Sequence, residues 1–256
     1  MKNKIIITIF TVIFLLTVFT ASALETEEIN ELNYQVLESY KHDPEAFTQG
    51  LEIYQNNLYE GTGRYGSSTL RKVDIESGEV LEKINLDSKY FGEGITILED
   101  RIYQLSWKEK TAFVYDLDFN LIRKFNYQGE GWGLANDGEY LIMSDGSEYL
   151  YFRDSKSFEI EKKVEVTAAE KKLKNINELE YHNGFLYANI WQTDYIVKIN
   201  PENGNTVAYL DLSGILKSSY QGEVDVLNGI AYDPEEKNFL VTGKLWPKIY
   251  RIEIDE

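Results

Sequence analysis

Short runs of apolar and aromatic residues recur along this chain, separated by Asn, Asp and Gly, which is the pattern of strands joined by tight turns. Five segments share one form: a polar or aromatic residue, usually a Gly, an apolar residue, a short turn, then an apolar-aromatic strand. The first is Phe47-Thr-Gln-Gly-Leu-Glu-Ile53, turning at Asn56-Asn57 into Leu58-Tyr-Glu-Gly61. The second is Phe91-Gly-Glu-Gly-Ile-Thr-Ile97 with Ile102-Tyr-Gln-Leu105, and the third is Gly131-Trp-Gly-Leu134 with Leu141-Ile-Met-Ser144. The fourth is Asn177-Glu-Leu-Glu-Tyr181 with Leu186-Tyr-Ala-Asn189, and the fifth is Leu227-Asn-Gly-Ile-Ala-Tyr232 with Phe239-Leu-Val-Thr242. After each of the first four hairpins comes another strand pair, such as Ala112-Phe-Val-Tyr115 turning at Asp118-Phe-Asn120 into Leu121-Ile-Arg-Lys-Phe125.

The second strands begin near residues 58, 102, 141, 186 and 239, a spacing of 44, 39, 45 and 53 residues. A repeat of about 40–45 residues carrying four strands is a propeller blade. The predicted fold is therefore all-β: a five-bladed β-propeller with four-stranded blades. The fifth unit ends after Ile249-Tyr-Arg-Ile-Glu-Ile254, one strand short, and Asn33-Tyr-Gln-Val-Leu-Glu-Ser-Tyr40 at the amino end is free to complete it. That strand closes the ring and protects an edge. The lysine-rich connection 167–174 is expected as a short helix over the rim.

Residues 1–23 read as a signal peptide, with Lys2 and Lys4 before an apolar run from Ile5 to Phe19 and a small-residue Ala21-Ser22-Ala23 site. An uncleaved anchor is the competing reading. Residues 24–32 form an acidic leader, and 33–256 the propeller. The protein is expected to be exported, periplasmic or extracellular, with no stable membrane association after cleavage, and monomeric by default. A net charge of −17 repels phosphate backbones, so nucleic acid is not an expected partner. Cysteine is absent, which excludes disulfides, thiolate nucleophiles and Cys-based zinc sites. A Ser-His triad or a His-rich metal cage would have to use His42 or His182, and both lie in turn-like sequence.

First strands of propeller blades line the central channel, so aligned positions form a ring: Gln49, Glu93, Trp132, Asn177 and Asn228, with Glu178 one residue out of register. Packing alone favours small or apolar residues there, yet four of these five are polar. Buried polar groups require partners, which points to a ligand, a metal or water at the centre. Glu93 lies between two glycines, a setting that permits close approach of another group. Walled by Phe47, Phe91 and Trp132, its carboxyl should lose solvation and titrate towards neutrality, as a general acid/base requires. A metal ligand or a hydrogen-bonded core acid is the other reading. Trp107, Trp132 and Trp191 sit near the same strand ends as pocket walls, whereas Trp246 is expected to pack between blades.

These motifs, taken together, resemble the plant-type glutaminyl-peptide cyclotransferases, which also occur in bacteria. The resemblance runs from His42-Asp-Pro-Glu-Ala-Phe-Thr-Gln-Gly-Leu51 to Val241-Thr-Gly-Lys-Leu-Trp-Pro247 and includes Phe91-Gly-Glu-Gly94, Leu105-Ser-Trp107, Ser144-Asp-Gly146 and Ala188-Asn-Ile-Trp-Gln-Thr-Asp194. It implies a five-bladed propeller that cyclises the N-terminal glutamine of peptides or proteins to pyroglutamate and releases ammonia. It implies Glu93 as acid/base, Asn177 and Lys244 at the γ-carbonyl oxygen, Gln49 as a substrate-binding group, and Phe47, Phe91, Trp107, Trp132 and Trp191 as the aromatic pocket. No cofactor is required by that chemistry. Some members carry a metal on the propeller axis, so a structural calcium or other hard cation on the ring oxygens belongs to the expectation. One departure is Glu60-Gly-Thr-Gly63 where Glu-Ser-Thr-Gly is expected, a change read as remote from the catalytic groups. The competing functions are a non-catalytic exported propeller that binds peptide or glycan, and a calcium-dependent propeller lactonase.

Overall fold

The computed structural model describes residues 29–216, 220 and 222–255, and every regular element among them is a β-strand. The signal-peptide segment 1–23 and most of the acidic leader lie outside the described residues. Four strands in up-and-down order make each blade. Blade 1 runs Thr48–Tyr54, Asn57–Thr62, Thr69–Val73 and Val80–Asn85. Blades 2, 3 and 4 repeat the plan from Gly92–Leu98, Leu134–Asn136 and Ile176–His182 outwards. Blade 5 takes Leu227–Asp233, Asn238–Gly243 and Lys248–Ile254 from the carboxyl end and Tyr34–Lys41 from the amino end.

That last pairing closes the five-bladed ring as the repeat arithmetic requires, from Tyr34 opposite Ile254 to Lys41 opposite Lys248. Side chains latch the seam. Arg251 donates through Nη1 to Asp233 Oδ2 at 2.9 Å and through Nε to the Tyr40 hydroxyl at 2.9 Å. His42, next after the closing strand, is buried between the Trp246 carbonyl and Glu60 Oε1, 3.0 Å from its Nε2. Both histidines are thus built into the fold, since His182 stacks on Tyr232. The core is five apolar clusters, one at each blade interface. Leu134, Leu141 and Met143 of blade 3, for example, meet Tyr103 and Leu105 of blade 2. Trp246 belongs to the cluster between blades 4 and 5.

Two connections depart from the expectation. Residues 167–174 form a two-stranded hairpin, Thr167–Ala168 paired with Lys171–Lys172. The turn residues Ala169 and Glu170 have φ of 46° and 64°, a left-handed pair that suits a hairpin turn and breaks a helix. Asn30–Glu31 of the leader adds a short parallel strand to the outer edge of blade 4, Asn30 opposite Ala208.

The inner strands come together through a repeated dyad. In blades 1, 2, 3 and 5 the ring residue is followed by glycine: Gly50, Gly94, Gly133 and Gly229. A Cβ on Gly94 would lie 2.6 Å from the Trp132 oxygen and Leu134 nitrogen, and one on Gly133 would lie 2.0 Å from the Asn177 oxygen. Backbone meets backbone there, so no side chain fits. What approaches the glycines around Glu93 is therefore the neighbouring blade. Blade 4 carries Glu178 in place of glycine. Its carboxylate is buried and accepts the Leu51 N–H at 3.2 Å and the Ile230 N–H at 2.8 Å, tying blade 4 to blades 1 and 5.

Glu52 and Glu180 face a separate cavity of about 300 Å³, lined also by Asn136 and Asp137. Burial raises both carboxyls, Glu52 to about 7 and Glu180 well above its ordinary value, and Glu52 and Glu178 raise Glu180 further. A raised folded value means stability that is complete below the unfolded value near 4.5 and lost as pH rises, for Glu52 through about 7. Glu180→Gln keeps an acceptor for the backbone and removes one charge. It is expected to raise Tm at pH 8 by about 2–4 °C for each kcal/mol of repulsion relieved, and to leave Tm at pH 4 unchanged. Thermal melts at the two pH values check this.

Candidate active site

The ring residues owe their direction to a bulge repeated in the inner strands. In blade 1 the ladder passes from Thr48–Thr62 to Gly50–Gly61, leaving Gln49 unpaired. In blade 2 it passes from Gly92–Ser106 to Ile95–Gln104 around Glu93, and in blade 4 from Ile176–Ile190 to Leu179–Ala188 around Asn177. Blade 5 skips Asn228 in the same way. A bulge frees a side chain from the alternation of the strand and re-aims it. Four separate bulges thus present four of the five ring residues, and Trp132 precedes its strand Leu134–Asn136.

Three of the re-aimed side chains, Gln49, Glu93 and Asn177, meet in one cavity of about 350 Å³. All nine residues singled out in the sequence line it: Glu93, Asn177 and Lys244, with Gln49, Phe47, Phe91, Trp107, Trp132 and Trp191. The volume suits a single amino-acid side chain with its backbone. The aromatic walls stand edge to face. Phe91 meets Phe47 at 6.2 Å and Trp107 at 5.6 Å, and Trp132 meets Trp191 at 5.5 Å between centroids. Around this apolar wall the polar groups are few and buried: Glu93 is 4% exposed, Asn177 3% and Lys244 5%.

Burial governs the charges. Loss of hydration pushes the Glu93 carboxyl well up, and the nearby carboxylates Glu130 and Glu109 push the same way, against the opposing pull of Lys244. The Lys244 ammonium is pushed down by burial, with Glu93 and Asp225 pulling it back up. The two shifts run towards each other, bringing the proton affinities of the carboxyl and the amine closer together. Lys244 also sits 5.1 Å over the Phe47 ring. The Oδ1 atom of Asn177 is buried without a protein partner.

Some residues take other roles. Asn228 donates to the Thr48 carbonyl at 3.0 Å and to Gln49 Oε1 at 3.3 Å, holding Gln49 from behind. Ser106 hydrogen-bonds Thr111, and Asp145 accepts from Ser147. Gly61 borders the inner strand of blade 2: a Cβ there would lie 2.9 Å from the backbone carbonyl oxygen of Glu93. Sequence reasoning passed over Gln192, Asp225 and Val226, which also line the cavity, and Glu130, whose carboxylate touches two of its walls. None sits at an aligned repeat position, so the repeat carried no signal for them. As for a hard cation, both Glu178 oxygens already accept backbone N–H groups. Among the described residues no three His, Cys, Asp or Glu gather as a metal cluster.

Residues 9–254 match a family model described as glutamine cyclotransferase. A curated glutaminyl-peptide cyclotransferase from Arabidopsis thaliana is 43% identical over 241 residues, covering 90% of this chain and 73% of that protein. The crystal structure of Myxococcus xanthus glutaminyl cyclase superimposes with a TM-score of 0.83 at 33% identity, covering 89% of this chain and 99% of that one.

Proposed function

The chain belongs to the glutamine cyclotransferase family, and from that premise we propose how its cavity closes the N-terminal glutamine of a peptide or protein to pyroglutamate. The observation that carries the reading is a buried carboxyl with a raised pKa, Glu93, in a cavity of aromatic walls with Lys244 nearby. The glutamine side chain enters between the indoles and folds back, so the α-amine reaches its own side-chain amide carbon. Holding the two ends together replaces a nucleophile from the enzyme. Ionised Glu93 accepts a proton from the attacking amine as the ring C–N bond forms. The Nδ2 N–H of Asn177 and the Lys244 ammonium donate to the oxygen on which charge develops. Protonated Glu93 then delivers its proton to the departing nitrogen, the exocyclic C–N bond breaks, and ammonia leaves. Gln49, held by Asn228, binds the peptide backbone.

Ammonia release from a Gln-initiated dipeptide tests the whole reading, and a folded wild-type protein that releases none would exclude it. Lys244 has its own expected result. Lys244→Met should lower kcat by about 10²–10³-fold, the loss typical of removing one group that stabilises a developing oxyanion. It should also move the acid limb of the pH profile upwards, since the cation that favours ionised Glu93 is gone. Steady-state rates between pH 5 and 9 measure both.

A further inference from the structure

Five aromatic side chains wall the cavity, and their placement depends on few polar contacts. Glu130 Oε2 accepts the indole N–H of Trp107 at 2.7 Å and that of Trp132 at 3.1 Å. Those indoles come from different blades, one following the strand Arg101–Ser106, the other preceding Leu134–Asn136. Each is packed edge to face on another wall, Trp107 on Phe91 and Trp132 on Trp191. One carboxylate oxygen therefore sets four of the five aromatic walls. Glu109, the other acid on this rim, is occupied elsewhere, accepting the Phe91 N–H at 3.1 Å and the Tyr65 hydroxyl at 2.8 Å.

We propose that Glu130 is a positioning residue of this site, pinning the Trp107 and Trp132 indoles as the walls of the glutamine cavity and placing its negative charge behind those walls, within electrostatic reach of Glu93. The proposal rests on the cyclotransferase reading above and deepens it. Its two parts separate chemically. The indole anchoring needs only an acceptor oxygen, which an amide also supplies. The effect on Glu93 needs the charge. The other charges that act on Glu93 are those of Lys244 and Glu109, while the Tyr65 and Tyr127 hydroxyls stay neutral and feel Glu93 in turn; Glu130→Gln leaves all four in place.

Glu130→Gln and Glu130→Ala are compared with the wild type in the full protein, using one Gln-initiated dipeptide throughout so that the substrate amine titrates identically. Glu130→Gln should keep KM within about 2-fold and the near-ultraviolet circular dichroism of the indoles, while the acid limb of kcat moves to lower pH, because a negative neighbour no longer opposes ionisation of Glu93. Glu130→Ala should show the same displacement, a KM raised about 10-fold and a weakened indole signal. An alanine variant with wild-type KM and an unchanged near-ultraviolet spectrum overturns the anchoring. A glutamine variant whose limb stays put overturns the role of the charge. Absence of turnover in the wild type counts against the cyclotransferase reading instead, and the spectra of the two variants still report the anchoring.

Discussion

Glu93→Gln is expected to lower kcat by about 10²–10⁴-fold, the range a general acid/base supplies, in a protein that folds normally. The amide fills the same volume between Gly92 and Gly94, so the backbone contacts of the inner strands survive. What disappears is the group proposed to take a proton from the attacking amine and return one to the departing nitrogen. The pH profile should change with it. In the wild type kcat rises as Glu93 ionises, along a limb displaced above the ordinary carboxylate range by burial. In the variant no limb of that kind remains. Stability should move the opposite way to activity. A carboxyl with a raised folded pKa adds stability that is complete below the unfolded value and is lost as pH rises, so the uncharged amide should leave Tm at pH 8 equal to the wild type or above it. Retained turnover in a folded variant would assign the proton transfers to another group.

Glu178→Ala should be the most damaging single change to the fold outside the blade interfaces. The carboxylate is fully buried and serves two backbone N–H groups in other blades, those of Leu51 and Ile230. Alanine leaves both donors without partners and opens a void where three inner strands meet. Each orphaned donor costs about 1–3 kcal/mol, before the void is counted. At about 2–4 °C per kcal/mol for a chain of this size, Tm should fall by roughly 5–20 °C. Glu178→Gln, which keeps one acceptor, should lose far less. The two N–H groups lie just after the bulges that present Gln49 and Asn228, so the alanine variant should also raise KM where it still folds. Melting curves of the two variants decide the matter: equal Tm values would mean that the hydrogen bonds across the centre contribute nothing.

Much of this architecture was readable because a propeller repeats. The same turn residues and apolar runs return about every forty residues, so blade number, strand order and the strand exchange at Tyr34–Lys41 follow from counting. The ring residues were legible for the same reason, since equivalent positions in equivalent blades share one distance from the axis. Lys244, Trp107 and Trp191 were legible as strand-end positions, and motif resemblance supplied their roles. The turn at Ala169-Glu170 escaped because its residue types favour helix, and its left-handed backbone is held by pairing of the flanking strands. Glu130 escaped because it belongs to an irregular approach to the third blade, and the Trp107 indole that it accepts from is brought to it from another blade.

By itself, then, the sequence determined the fold class, the five-fold plan and which side chains would face the axis, because local alternation and turn chemistry act over a few residues and repetition multiplies the signal. The tertiary structure alone decided the bulges that turn Gln49, Glu93, Asn177 and Asn228 into the channel, the glycine contacts that bring backbones together, and the role of Glu178 at their centre. It also decided the burial that lifts Glu93 and lowers Lys244. Those features arise between blades, from groups far apart in the chain, and desolvation exists only once the blades have closed around the cavity.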